Sequence, residues 1–300
     1  MTTDAIRAEG LTKFFGAVIG VQDLSFDVQR GEVYGFLGAN GAGKTTTIRL
    51  LLDLLRPTSG RASVMGLDCR RDSLEARRQI GYLPGELPVY PDLTAGKYLD
   101  YLAQLGGRAV PRAWRDELLE RLDVSRVDLE RGLRDQSHGM KQKIGIIQAL
   151  MSRAPVLILD EPTSGLDPLM VQAFRELIEH LKADGSTTVF LSSHVLTEVE
   201  ATCDRIGLIR GGRMVASGTM GDIRRRAARR MTITFSAPVN GSVSLPPGAT
   251  VVASAPTQWV VEVQGPAGPV LQALAQLPVH DVEIDPFRLE DFVVRYYAES

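Results

Sequence analysis

The chain has 300 residues, of which 44% are hydrophobic and 23% charged, and its formal net charge is −2. That length bounds it to one large or two ordinary domains with ample residues for a core, and the near-neutral balance excludes a global basic footprint for nucleic acid. The two cysteines, Cys69 and Cys203, lie far apart, which excludes a disulfide framework or a metal-type spacing and points to a reducing compartment.

The opening stretch "MTTDAIRAEG" has no apolar core region and does not read as a signal peptide. The longest apolar runs, such as "VLIL" at 156–159, are too short to span a bilayer, so a role at a membrane requires another chain's helices. Residues 1–223 alternate short apolar runs with amphipathic stretches, the α/β pattern. "VYGFL" (33–37), "VLILD" (156–160) and "TTVFLSS" (187–193) read as buried parallel strands. Ile48, Leu51, Leu52 and Leu55 form one apolar helical stripe that Pro57 ends. Phe174, Leu177, Ile178 and Leu181 repeat that spacing after Asp167 as N-cap and Pro168 at the first helical position.

Between about 87 and 151 no convincing strand occurs. "LTAGKYLDYLAQL" and "WRDELLERL" read as helices of an insertion within the α/β domain. "RRRAARR" (224–230) reads as a solvated basic linker or helix face rather than a binding site. Beyond it, residues 231–300 read as a small α+β domain: strands at "MTITFSA", "ATVVASA", "QWVVEVQ" and "VHDVEI", a helix at "PVLQALAQL", and a closing helix at "LEDFVVRYY".

Three segments carry chemistry. "GANGAGKTT" (38–46) fits G-x-x-x-x-G-K-[ST], with a strand before it and a helix after it. Gly38, Gly41 and Gly43 permit backbone approaches that a Cβ would block, so that loop and helix-start N–H groups can face an anion. Lys44 supplies a cation for outer phosphates, and the Thr45 hydroxyl is a ligand for Mg2+. In "VLILDEP" a buried strand delivers Asp160 and Glu161 at its carboxyl end, where open α/β sheets bind ligands. Asp160 suits Mg2+ through water, and Glu161 is placed to polarise an attacking water. His194, at the end of "VFLSSH", faces the same crevice.

In motif order and spacing, residues 5–221 resemble the ATP-binding subunit of an ATP-binding cassette (ABC) transporter, in its drug- and antibiotic-exporting branch. "GANGAGKTT" resembles the Walker A loop, "VLILDEP" the Walker B strand, "SGLD" (164–167) the D-loop, and His194 the switch histidine. The resemblance implies a P-loop NTPase of RecA-like fold with a helical subdomain, binding ATP and Mg2+. ATP would be held by Gly38, Ala39, Asn40, Gly41, Ala42, Gly43, Lys44, Thr45 and Thr46. Phe15, in "LTKFFG", falls where the family stacks an aromatic on adenine. Hydrolysis would fall to Glu161 and His194.

"QSHGM" (136–140) resembles the family's signature LSGGQ, with His138 at a glycine position. The resemblance implies that Ser137, Gly139 and the helix start bind the γ-phosphate held by a second copy, in a head-to-tail dimer whose D-loop, with Asp167, also serves the nucleotide. A Ser137–His138 dyad fails because adjacent residues at a helix start do not face each other, and no neighbouring Cys or second His gives metal spacing. The imidazole is expected to face solvent or the partner's nucleotide. At the Q-loop, where the family carries glutamine after the proline of "GYLP", this chain has Gly85 and then Glu86. A loop shift would bring Glu86 to the metal; otherwise Glu86 meets the membrane partner or solvent.

The expectation is an ATPase at the cytoplasmic face of the membrane, driving a separate permease subunit, with no nucleic-acid partner. The alternative is a soluble cassette ATPase acting on nucleic acid or ribosomes, supported by the arginine run and opposed by the near-neutral charge. A catalytically dead cassette is opposed by intact Lys44, Asp160, Glu161 and His194.

Overall fold

A buried strand followed by a glycine loop and a helix sets the layout. The computed structural model describes residues 4–88, 90, 92–226, 228–239, 245–285, 289–290 and 292–293. Two compact units divide the chain, Met1–Ser217 and Gly218–Ser300.

In the first unit, β3 (Val33–Leu37) lies inside a six-stranded sheet. Its order is β10 (Arg213–Thr219), β9 (Arg205–Arg210), β3, β8 (Thr188–Ser193), β7 (Val156–Asp160) and β6 (Ile80–Leu83). Strands β9, β3, β8, β7 and β6 pair in parallel. Every residue of β3, β7 and β8 is buried, as their continuous apolar runs require of strands covered on both faces.

A second, four-stranded sheet is absent from the sequence reading. It runs β2 (Val18–Gln29), β1 (Asp4–Phe15), β4 (Ser59–Val64) and β5 (Leu67–Asp68), with antiparallel pairing throughout. An aromatic cluster joins the two sheets. Phe26 of β2 lies 5.7 Å from Phe36 of β3 and 5.9 Å from Phe190 of β8, ring centre to ring centre.

Helix α1 (Lys44–Leu51) is shorter than its apolar stripe suggests. Asp53 takes a left-handed backbone (φ 53°), which ends the helix before Leu55 and Pro57, although Leu55 still packs on the core. The α2 helix (Ser73–Arg78) precedes β6. The region expected to be helical holds α3 (Ala95–Leu105), α4 (Arg112–Arg121), α5 (Arg126–Glu130) and α6 (His138–Leu150). Returning to the sheet are α7 (Pro168–Ala183) and α8 (Leu196–Thr202). The loop between β3 and α1, the carboxyl ends of β7 and β8, and the start of α6 are the places that build the site.

The second unit begins before the arginine run, and the run is not a linker. Thr219 and Asp222 cap each other's backbone N–H groups at 3.3 and 3.0 Å, which starts helix α9 (Met220–Arg226). Arg224 and Arg225 ride on that helix; Arg229 and Arg230 lie in strand β11 (Ala228–Phe235), opposite Val263 and Glu262. A four-stranded antiparallel sheet follows in the order β12 (Ala249–Ala255), β13 (Gln258–Gln264), β11 and β14 (Val279–Ile284). Met231, Ile233, Trp259, Val261 and Val263 from the sheet meet Val270 and Leu274 of α10 (Gly268–Leu274) in its core. Much of the expected closing helix lies outside the described residues; within it, Leu289 and Phe292 are buried. Among the described residues no helix is long and apolar enough to cross a membrane.

Candidate functional site

The loop from Gly38 to the start of α1 is a backbone cradle. Gly41 and Gly43 hold φ angles of 79° and 112°, and a Cβ on Gly43 would stand 2.7 Å from the Gly20 carbonyl oxygen. A Cβ on Gly38 would stand 2.6 Å from the Ile209 carbonyl oxygen. Lys44, the first helical residue, is only 6% exposed and its ammonium turns back over the loop. It donates to the Gly38 carbonyl at 2.6 Å and to that of Ala39 at 3.4 Å, and stands 3.2 Å from Glu161 Oε1. Ala39, Asn40 and Gly41 are exposed, Ala42 is buried and Thr46 half-buried.

The carboxyl ends of β7 and β8 face this cradle. Asp160 is 2% exposed. Its Oδ2 accepts from the Thr45 hydroxyl at 3.0 Å, and its Oδ1 accepts from the Ser192 hydroxyl. Glu161 then turns sharply, with φ 51°, while its N–H donates to the Ser192 carbonyl at 3.1 Å and to Ser192 Oγ at 3.3 Å. The turn points its carboxylate at two groups: Oε1 at Lys44, and Oε2 at His194 Nδ1, 2.7 Å away. Lys44, Thr45, Asp160, Glu161 and His194, predicted from three separate segments, thus converge in one crevice.

The arrangement suits a magnesium phosphate. Thr45 and Asp160 bring a hydroxyl and a carboxylate oxygen together, the hard-oxygen chemistry Mg2+ prefers, and Mg2+ bound with phosphate needs only one or two protein ligands. Phe15, 45% exposed at the end of β1, lies beside the start of α1. A Cβ on Gly20 would meet its ring at 2.7 Å and Thr46 Cγ2 at 3.1 Å, so a bare glycine separates the aromatic from the cradle.

The start of α6 meets a different turn through His138 and Gly139. Ser137 caps α6, accepting from Met140 N–H at 3.2 Å. Gly165, with φ 74°, carries the His138 ring: a Cβ there would lie 2.1 Å from His138 Cδ2. A Cβ on Gly139 would likewise stand 2.8 Å from the Gly165 carbonyl oxygen. The edge of the imidazole therefore lies against the 164–167 turn of its own chain while His138 stays exposed, in keeping with the expected solvent-facing ring. A glycine in the left-handed region leaves the ring a place to lie. Asp167 caps α7 as predicted, accepting from Leu169 and Met170 N–H groups at 3.0 and 3.1 Å.

At the Q-loop position, Gly85 rather than Glu86 adjoins the metal-type carboxylate. A Cβ on Gly85 would lie 3.5 Å from Asp160 Oδ2, whereas Glu86 is exposed. Two residues of the site were missed in the sequence, Ser192 and Gln142. Gln142 is buried on α6 although lysines flank it in the sequence, so little in the local pattern marks it.

A family profile described as ABC transporter matches residues 21–164. The bacitracin transport ATP-binding protein BcrA of Bacillus licheniformis is 37% identical over 231 residues, covering 77% of this chain and 75% of the relative. The linearmycin resistance ATP-binding protein LnrL of Bacillus subtilis is 36% identical over 223 residues, 74% of this chain and 71% of the relative. Among solved structures, an ATP-binding subunit of an ABC transporter matches with TM-score 0.68 and 33% identity, over 74% of this chain and 92% of its own. A dimeric cassette in a post-hydrolysis state with ADP and Pi shares the fold, with TM-score 0.66 and 20% identity over 72% and 98% of the two chains. The profile spans both the cradle and the strand that ends at Asp160, and with these relatives the conclusion is direct: the chain belongs to the ATP-binding proteins of ABC transporters.

Proposed function

We propose that the chain is the Mg2+-dependent ATPase of an exporter, docked from the cytoplasmic face onto a separate permease subunit and acting as a head-to-tail pair. The convergence of Lys44, Glu161 and His194 over the Thr45–Asp160 pair carries the reading. The cradle and Lys44 bind the phosphates of ATP, and Phe15 supplies a stacking face for its base. Thr45 directly and Asp160 through water would hold Mg2+, which supplies charge neutralisation on the phosphates when bound. Glu161 takes the proton of the attacking water on its carboxylate. His194, against Oε2, fixes that carboxylate's orientation. Ser137 and Gly139 at the start of α6, with the turn carrying Asp167, serve the nucleotide of the second copy.

Antibiotics are the cargo class favoured by relatives named for bacitracin transport and linearmycin resistance. Selectivity would reside in the permease. The second unit modulates pairing or coupling and adds nothing to the phosphate site.

The test is co-expression with the permease in inverted vesicles, measuring Mg-ATP hydrolysis and uptake of a labelled amphipathic antibiotic. ATP hydrolysis stimulated by the permease, with uptake that ends on chelating Mg2+, is the expected result. Hydrolysis that no permease alters, or that RNA stimulates instead, sinks the exporter reading.

Because Gly85 holds the place beside Asp160, Glu86 belongs to the coupling surface. Glu86→Ala should leave ATPase activity of the isolated chain within about twofold of wild type, since a solvated side chain away from the reacting atoms contributes little to chemistry. Permease-stimulated turnover should fall. A drop in isolated activity of tenfold or more would place Glu86 at the metal.

A further inference from the structure

Gln142 is a polar residue in the core, 3% exposed, about one and a half turns along α6 from the Ser137 cap. Its side-chain nitrogen donates to two successive carbonyls, Glu161 O at 3.0 Å and Pro162 O at 2.8 Å. The backbone there is unusual. Glu161 is a non-glycine residue in the left-handed region, and such a conformation persists where the surroundings over-determine it. Ser192 holds its N–H, while the Ser164 N–H, at 3.2 Å, and Gln142 hold its carbonyl. The same helix meets the far end of this turn, where His138 and Gly139 close on Gly165. One helix thereby grips the strand-end turn at both its beginning and its end.

We infer that Gln142 is a positioning residue for Glu161, which makes the aim of the catalytic carboxylate depend on the seating of α6. The inference rests on the proposed role of Glu161. Its physical basis is short-range. The direction of the Glu161 side chain is set by the peptide planes flanking its Cα, and Gln142 pins the carbonyls of residues 161 and 162. Without the amide, the Pro162 carbonyl loses its donor inside the protein, and the turn relaxes toward another partner. The carboxylate then leaves the line between Lys44 and His194. Because Ser137 caps the other end of this helix segment, a phosphate bound there by the second copy bears on the same turn. Nucleotide engagement at one site thus reaches the carboxylate that serves the other.

Gln142→Met keeps length and burial and removes both donors. ATP turnover of the full chain should fall about 10–100-fold, the scale of a misplacement near 1 Å, with KM for ATP within about twofold. Gel filtration with Mg-ATP should show the ATP-bound pair accumulating, as in a Glu161→Gln control, because binding survives while hydrolysis slows. Thermal unfolding checks the fold, and Gln142→Glu, of the same shape but unable to donate twice, takes its place if the Met variant does not fold. A kcat within about twofold of wild type overturns the inference. So does a tenfold rise in KM with no ATP-dependent pair, since α6 would then matter for binding and not for aim. If Glu161→Gln itself keeps full turnover, the role of Glu161 has failed first and the inference falls with it.

Discussion

Glu161→Gln is expected to lower ATP turnover by about 10²–10⁴-fold while leaving ATP bound. The amide has the shape of the carboxylate but no negative charge, so it cannot take a proton from water. Binding should survive because the parts proposed for it lie elsewhere: the cradle, Lys44 on the Gly38 carbonyl, and the Thr45–Asp160 pair. The substitution also releases the Lys44 ammonium from the carboxylate oxygen 3.2 Å away, which leaves it freer for phosphate. Nucleotide affinity should therefore hold or rise. Phosphate release under saturating Mg-ATP, beside equilibrium binding of labelled ATP, separates the two quantities. Turnover within a few-fold of wild type would remove Glu161 from the chemistry and leave His194 as the candidate base.

The parts of this site that were legible in the sequence are those written locally. A strand, a glycine loop and a helix follow one another from Val33 to Leu51, so the cradle reads directly from the order of residues. Asp160, Glu161 and His194 were found because each closes an apolar run, and parallel neighbours bring such ends together. Other features depend on partners distant in sequence. Gln142 donates to residues 161 and 162, and nothing in the periodicity of α6 announces where a buried amide finds its acceptors. The antiparallel sheet escaped because β1 and β2 break their own alternation. Their pairing register shifts repeatedly, and Gly10 and Asp23 take left-handed backbones at φ 57° and 50°. The arginine run was legible only in part. Composition suggested a solvated linker or helix face; a capping pair ahead of it starts a helix that carries Arg224 and Arg225 exposed, whereas pairing with β13 makes its end a strand.

Gly165→Ala is the second large effect, because two costs fall on one methyl group. Alanine at φ 74° costs about 1–2 kcal/mol in backbone conformation alone. Its Cβ would also stand 2.1 Å from His138 Cδ2 and 2.7 Å from Nε2, so the imidazole must leave the turn. Together these should lower ATP turnover by about 10–100-fold, at 1.36 kcal/mol per tenfold. The turn opposes Gly139 and connects Glu161 to the Asp167 cap of α7, so its displacement reaches both ends of the site. The ring contact separates the two costs. His138→Gly alone should retain most activity at pH 8, since the proposed phosphate contacts come from the Ser137 cap and the backbone N–H groups, which it leaves in place. Combined with Gly165→Ala, it removes the clash but not the backbone cost, and should recover part of the lost rate. A double-mutant cycle over these four proteins reads that coupling directly. If Gly165→Ala is equally damaging with histidine or glycine at 138, the ring does not press on this turn in the working enzyme. If Gly165→Ala is harmless in both, the turn moves freely and does not tie the α6 start to Glu161.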